Sequence, residues 1–512
     1  MLDPMSPNLG STPIEEAKTK TDIMHVEDTS KKGIQMLSLD SIEQTKTGYY
    51  IWLVCIAVGV GGFLFGYDTG IISAVLVVLN EDLGHALNSS EKELITSLTS
   101  GGAFLGALAA GCSADKYGRK LAVFLGCIVF VIGAVLQACA FSLAQMALGR
   151  FVIGIGVGSA AMIIPLYIAE VSPAKYRGRM IGLDNMSITG GQLVAYGVGA
   201  GLAKVSHGWR YMVGLGAVPA LILAICLYFC PESPRQLMYH GKSEEAARVV
   251  AKIFPNGTDL QVQQKIQHMA RTPRRGIKSV ERGGRILEAA EATLRGPVQS
   301  ARPSGSNPIA VGTIIAGTGF GCTFVYFLMI DKFGRRLILL STMWGMAVFL
   351  AVAAIGFHWI PVSHNLVLET NDIGWPAYLL LASMIIFVVF YSLGIGNLAW
   401  VSSEFFPIEI RALGTMMMTC TCWGTNIVVA STFLTQMENT TPSGAFGFYA
   451  VLCFIGWIAV YFWYPEVRGM TLEDIREVFN HGFGVKYARG VQKEMVRQQK
   501  AQVESQTGLA GA

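Results

Sequence analysis

The chain has 512 residues, 52% hydrophobic and only 14% charged, with a formal net charge of +4 and a mean hydropathy of +0.46. Soluble domains carry roughly 25% charged residues, so this balance excludes an ordinary soluble domain and points to the lipid bilayer as the solvent. The small positive excess lies in loops and tails and gives no support to a nucleic-acid partner. No nucleophile–base pair or metal cluster in the loops supports an enzyme.

Residues 1–47 are polar, with mixed charge and no short apolar core before a cleavage site, and are expected to form a cytosolic tail rather than a signal peptide. A spanning helix needs about 20 mostly apolar residues. Such runs follow at 49–72, 92–114, 121–141, 146–168, 185–205 and 211–230, then at 308–330, 337–360, 376–400, 413–435 and 445–464. The prediction is an all-α membrane protein of two bundles, 48–231 and 306–466, joined by a cytosolic loop at 232–305 and followed by a second cytosolic tail at 467–512. The ten cysteines lie in or beside apolar runs, without the spacing of a disulfide framework or a metal site.

The chain repeats itself. "ADKYGRK" from Ala114 returns as "IDKFGRR" from Ile330, 216 residues on. "EVSPAKYRG" from Glu170 returns as "EFFPIEIRALG" from Glu404, and "PESPR" from Pro231 as "PEVRG" from Pro465, both 234 residues on. Transporters are commonly built from two halves related by an axis along the membrane normal. Basic loops follow the second, fourth and sixth runs, while the intervening turns carry Glu81, Asp82 and Glu91. By the positive-inside rule the N-terminus is cytosolic.

The repeat has a gap. The counterpart of the first run falls at 265–288, "KIQHMARTPRRGIKSVERGGRILE", which holds too many cations to cross lipid without several kcal/mol of cost. With eleven spans, "DKFGRR" would face outside, against the positive-inside rule. Three readings remain open: a damaged or wrongly assembled sequence, a true eleven-span product, or a re-entrant segment that restores twelve-span parity.

Asp68 places a carboxylate inside the first run, and Arg150 a guanidinium inside the fourth. Asp68 is roughly 27 Å from the inner end of its helix and Arg150 roughly 30 Å from the inner end of its own, at 1.5 Å per residue. The two are expected to pair. Burial opposes an ionised carboxylate and a neighbouring cation supports it, which suits the pair to taking up and giving off a proton as helices move. The bland alternative is an ion pair that only orients two helices.

A polyol needs hydrogen-bonding side chains and an aromatic face in a mostly apolar cavity. Asn185 and Gln192 form a polar stripe on the fifth run. Phe65 stands one turn from Asp68, and Trp400, Trp423 and Asn426 are the candidates in the second half. Packing or an interhelical hydrogen bond is the plainer role for each. On the cytosolic side, Asp115, Arg119, Glu170, Arg177, Glu232 and Arg235 face a second set, Asp331, Arg335, Glu404, Arg411 and Glu466. Salt bridges between the sets would hold the halves closed inside. The glycines of "GIGVGSA" (Gly154 to Ala160) allow close helix approach. Sequons stand at Asn88, Asn256 and Asn439, the first expected outside, the second in the cytosol, and the third outside if twelve-span parity holds.

The repeated loop motifs, with "PEVRGMTLED" after the last run, resemble the sugar porter family of the major facilitator superfamily over about 48–250 and 308–475. "ITGGQLVAY" (Ile188 to Tyr196) and "ASTFLTQMENTTPSG" are most similar to the myo-inositol transporters. The resemblance implies a monomeric major facilitator fold in the plasma membrane that takes up myo-inositol or a similar neutral polyol by alternating access. It also implies a proton, with no further cofactor, coupled through Asp68. Against the family pattern, the glutamine- and asparagine-bearing seventh helix is absent, and Cys422 stands where the family often has a polar side chain. A hexose symporter, a nutrient sensor that does not transport, and an inactive truncated product remain as alternatives.

Overall fold

A computed structural model of the chain describes residues 42, 45, 47–79, 81–85, 87–173, 175–271, 308–360, 374–401, 405–406, 411–468, 470, 478, 483–485 and 487–494. Every apolar run becomes a helix. In the first half these are α1 (Tyr49–Val78), α2 (Ser89–Tyr117), α3 (Arg119–Ala138), α4 (Leu143–Val171), α5 (Arg177–Leu202), and the broken pair α6 (Gly208–Gly214) and α7 (Ala217–Phe229). In the second half they are α11 (Pro308–Phe333), α12 (Arg335–His358), the broken pair α13 (Trp375–Leu393) and α14 (Ile395–Val401), α15 (Arg411–Thr440) and α16 (Pro442–Trp463). Among the described residues nine helical stretches are long and apolar enough to cross a membrane. The long helices that miss this criterion are α5 and α15, which line the seams between the halves.

The expected loop at 232–305 is partly structured. It holds α8 (Pro234–Tyr239), α9 (Ser243–Ile253) and α10 (Asp259–Arg271). Ser233 caps α8 by accepting from the Gln236 amide, and α9 turns Ala246, Val250 and Ile253, one face of a helix, onto the core. The C-terminal tail also departs from the expectation of a free segment, since Val467, Met470, Val478 and Ala488 are buried together.

Within the first half, α1 and α5 run parallel in close contact, as do α2 and α4. Glycine makes this possible: a Cβ on Gly66 would collide with the Ile188 carbonyl, and one on Gly158 with the Ala103 carbonyl. The "GIGVG" glycines thus divide their work, Gly154 and Gly158 facing α2 while Gly156 faces α3. Two antiparallel seams join the halves. Along one, α5 meets α11, with Tyr196 beside Gly312, Gly182 beside Tyr326, and Gly178 beside Asp331. Along the other, α2 meets α15, with Ser100 bonded to Asn426 and Gly111 against Met416.

The α5–α11 register settles an expectation. Asp331 ends α11 on the side where α5 begins, and Arg179 Nε lies 3.3 Å from Asp331 Oδ2. "DKFGRR" therefore shares a side with "EVSPAKYRG", so the halves keep twelve-span parity and the positive-inside rule holds. Arg271, ending α10 beneath the first half, and Pro308, starting α11 at the opposite end, flank residues 272–307, which lie outside the described residues.

The repeated loop motif has a structural job. Gly118 and Gly334 both adopt positive φ, 97° and 87°, which only glycine takes without cost. The Glu232 carboxylate accepts from the amides of Arg119 (3.2 Å) and Lys120 (3.3 Å). The Glu466 carboxylate accepts from those of Arg335 (3.1 Å) and Arg336 (3.0 Å). Each glutamate satisfies free N–H groups at a helix start and complements its dipole.

Candidate functional site

Asp68 and Arg150 meet as their depths predict: Arg150 Nη1 donates to Asp68 Oδ1 at 2.6 Å, with side chains 3% and 6% exposed. The pair lies where α1 and α4 approach, and the neighbouring Tyr67 hydroxyl donates to the Met212 carbonyl of α6 at 2.9 Å. A buried pair of this kind costs desolvation on both sides and is held by its own attraction. Removing one partner leaves an uncompensated charge. A proton delivered to Asp68 does the same to Arg150, and this makes the pair a suitable trigger for helix movement.

The candidate ligand residues converge from both halves. The Phe65 and Trp423 rings stand edge to face, 5.5 Å apart at 71°, and bridge α1 to α15. Trp423 is 4% exposed, and its indole N–H has no hydrogen-bond partner. Asn185 Nδ2 donates to the Asn397 carbonyl of α14 at 2.9 Å, while its Oδ1 is buried without a partner. Asn426 Oδ1 accepts from Ser100 at 3.1 Å. Gln192 is half-buried on α5 beside Gly70 of α1. The side chain of Trp400 lies outside the described residues. The site therefore holds a buried donor and a buried acceptor without partners, on opposite halves, beside an aromatic face. A polyol hydroxyl both donates and accepts, so it can meet both.

Sequence reasoning missed Asn397 and Ser100. Asn397 stands in "GIGNLAW", just after the break that ends α13 at Gly394. It also donates to Thr323 Oγ1 of α11 at 3.3 Å, which ties three helices together. The signal in the sequence is a glycine break followed by an amide side chain in an apolar run, next to the more conspicuous Trp400.

The cytosolic charges are arranged differently from the expectation. Arg119 reaches Asp115 at 2.8 Å and Glu170 at 3.0 Å, all within the first half. Arg335 reaches Asp331 at 3.7 Å within the second. Glu232 and Glu466, expected as bridges between halves, are spent as helix caps inside their own halves. One pair that crosses is Arg179 with Asp331, and Arg179 was not among the expected residues. Arg177 is buried at the start of α5 and Arg235 is half-buried on α8. Glu404 and the side chain of Arg411 lie outside the described residues. Arg179 and Asp331 thus hold α5 to α11 at their cytosolic ends.

Comparison with known proteins follows the same lines. The family described as "Sugar (and other) transporter" matches residues 54–286 and 298–479. The chain is 36% identical to "Myo-inositol transporter 2" of Schizosaccharomyces pombe over 502 residues, 92% of this chain and 88% of that one. It is 38% identical to "Myo-inositol transporter 1" of Candida albicans over 492 residues, 90% of this chain and 89% of that one. Among solved structures, the major facilitator proton:xylose symporter XylE bound to 6-bromo-6-deoxy-D-glucose superposes with a TM-score of 0.75. The identity is 24%, covering 84% of this chain and 99% of that one. The inward-open xylose transporter XylE from E. coli gives a TM-score of 0.63 at 26% identity, covering 84% and 100%. With a membrane-spanning all-α fold, the repeated loop motifs and this match in hand, the chain belongs to the sugar transporter family of the major facilitator fold.

Proposed function

We propose that this protein is a proton-coupled symporter that takes up myo-inositol or a closely similar polyol across the plasma membrane, as a monomer working by alternating access. The observation that carries the reading is the conjunction of the Asp68–Arg150 pair with the unmet Trp423 donor and Asn185 acceptor. Relatives named as myo-inositol transporters support the choice of polyol. Protonation of Asp68 frees Arg150 and loosens α1 from α4. Polyol hydroxyls take the place of the Asn185–Asn397 contact and engage Trp423 against the Phe65 face. The halves then rock, part the Arg179–Asp331 contact, and release solute and proton inside.

The driving force is sufficient. A proton falling through about 100 mV yields roughly 2.3 kcal/mol, and a pH unit adds roughly 1.4. Together these support a gradient of several hundredfold for a neutral solute. The test uses purified protein in vesicles with labelled myo-inositol. Asp68→Asn is expected to abolish accumulation against a gradient while exchange of labelled for unlabelled solute survives. Accumulation at the wild-type level by the variant overturns the coupling role. Competition by excess glucose distinguishes a polyol carrier from a hexose carrier.

A further inference from the structure

Asp184 has no part assigned to it in the site above, and its carboxyl lies deep in the first half. It is 2% exposed on α5. Its Oδ1 makes no hydrogen bond, and among the described residues no cation pairs with it. The carboxyl is pressed against the backbone of Gly62 on α1, where any Cβ would collide with it. With Gly62, Phe65, Ile164, Pro165 and Ile188 it lines a cavity with room for about one water.

The groups around it are already engaged or uncharged. On α1 stand the Cys55 thiol, the Tyr67 phenol bonded to Met212, and Asp68 bonded to Arg150. On α4, Arg150 holds Asp68, and Glu170 holds Arg119. On α11, Tyr326 is a phenol and Asp331 meets Arg179. On α6, Arg210 and Tyr211 lie at the outer end, and α14 brings Asn397, which does not titrate. The nearest cations on α5 itself are Arg177 and Arg179 at its cytosolic start.

Position gives this acid a side. Asp184 is about 10 Å in from the cytosolic start of α5, whereas Asp68 is about 28 Å in along α1, at 1.5 Å per residue. Phe65 covers the cavity, and its ring meets Trp423 of the other half. The next residue, Asn185, is bonded across to Asn397. Parting the halves on the cytosolic side removes both contacts and admits water to the carboxyl.

An ionised carboxylate sealed in without a neighbouring cation is far costlier than the neutral acid. We propose that Asp184 is a second proton site, separate from the coupling pair and exchanging with the cytosol. It holds its proton while sealed from water, as it is buried here, and releases it when the inner side opens. Opening is then linked to loss of one proton, so cytosolic acid holds the transporter shut. The proposal rests on the transport reading above for its consequence, though not for the protonation itself.

The test is exchange of labelled for unlabelled myo-inositol at zero proton-motive force, in sided vesicles whose lumen is the cytosolic face, with luminal and external pH lowered together. Linkage to one proton predicts a rate that falls by up to about tenfold per pH unit on the acid limb. Asp184→Asn, which imitates the neutral acid, is expected to give a flat profile at the low, acid-side rate. Asp68→Asn is expected to lose accumulation yet keep the acid limb, which separates failure of the coupling pair from failure of this proposal. A wild-type profile in Asp184→Asn, or no acid limb in the wild type, overturns it. Infrared spectra at neutral pH decide the protonation independently of transport. The wild type is expected to show a carboxylic-acid C=O band that Asp184→Asn lacks and Asp184→Glu shifts, and absence of that band overturns the proposal.

Discussion

Helices α5 and α15 occupy matching places in the two halves, each running antiparallel to a helix of the other half, and they are partnered differently. α5 lies between α11 across the seam and α1 within its own half, in contact along its length. α15 meets α2 across the seam, but among the described residues no helix stands to it as α1 stands to α5. The polar side chains behave alike on the two helices. Asn185 of α5 donates to Asn397 and Asn426 of α15 accepts from Ser100, each across the halves. Ser187 and Thr189 of α5 and Thr419, Thr421, Thr425 and Thr432 of α15 bond back to carbonyls four residues earlier. A hydroxyl in an apolar setting can satisfy itself on its own helix. The lesson is that a seam between halves can be set by one face of a helix even where the other face lacks its counterpart.

The sharpest way to break this comparison is topological and all-or-none. Asn88 and Asn439 lie at the same level of the α2–α15 seam, both exposed, and Asn256 lies at the opposite end beneath α1. In a glycosylating host, Asn88→Gln and Asn439→Gln are each expected to remove one glycan, seen as a gel shift, with no change for Asn256→Gln. No gel shift for Asn439→Gln, with a shift for Asn88→Gln, would place the second half upside down.

Next in size is the buried ion pair of the first half. Arg150→Met leaves Asp68 buried and unpaired, with an expected loss of about 3–5 kcal/mol, measured as thermal unfolding in detergent. Recovery on adding Asp68→Leu would show that the cost belongs to the orphaned charge. The packing contrast comes third. Gly66→Ala forces a Cβ onto the Ile188 carbonyl and is expected to cost about 1–3 kcal/mol. Gly424→Ala, on α15, meets only the Phe104 ring at 3.7 Å and is expected to stay within about 0.5 kcal/mol. Equal losses would mean that α15 is as tightly enclosed as α5.

The smallest effect is outside. The Trp209 indole N–H and the His207 ring hold the Asp82 carboxyl below its usual range. Stability from such a group is present above the unfolded value, near pH 3.9, and is lost as pH falls through the lower folded value. Asp82→Asn should therefore cost under about 1 kcal/mol at neutral pH and nothing in strong acid, read as unfolding temperature against pH.

Much of this was legible from residue order. Apolar runs gave the helices, the three repeated loop motifs gave the two halves, and depth arithmetic paired Asp68 with Arg150 before any contact was seen. What went unread was of another kind. Glu232 and Glu466 look like gate charges in sequence, yet each caps a helix, because the amides they meet lie more than a hundred residues away in the chain. Arg179 and Asp184 carry no distinctive motif and Asn397 only a weak one, and their importance comes from what folding places opposite them.

Sequence alone determined that this chain suits a bilayer, that it is doubled, and which helix ends of its first half are cytosolic, because hydropathy and loop charge are local sums along the chain. The orientation of the second half came from the α5–α11 register. The tertiary structure decided which polar groups find partners and which are left without. That depends on distances across helix seams, where a missing Cβ or a carbonyl one turn away determines whether a buried atom is satisfied.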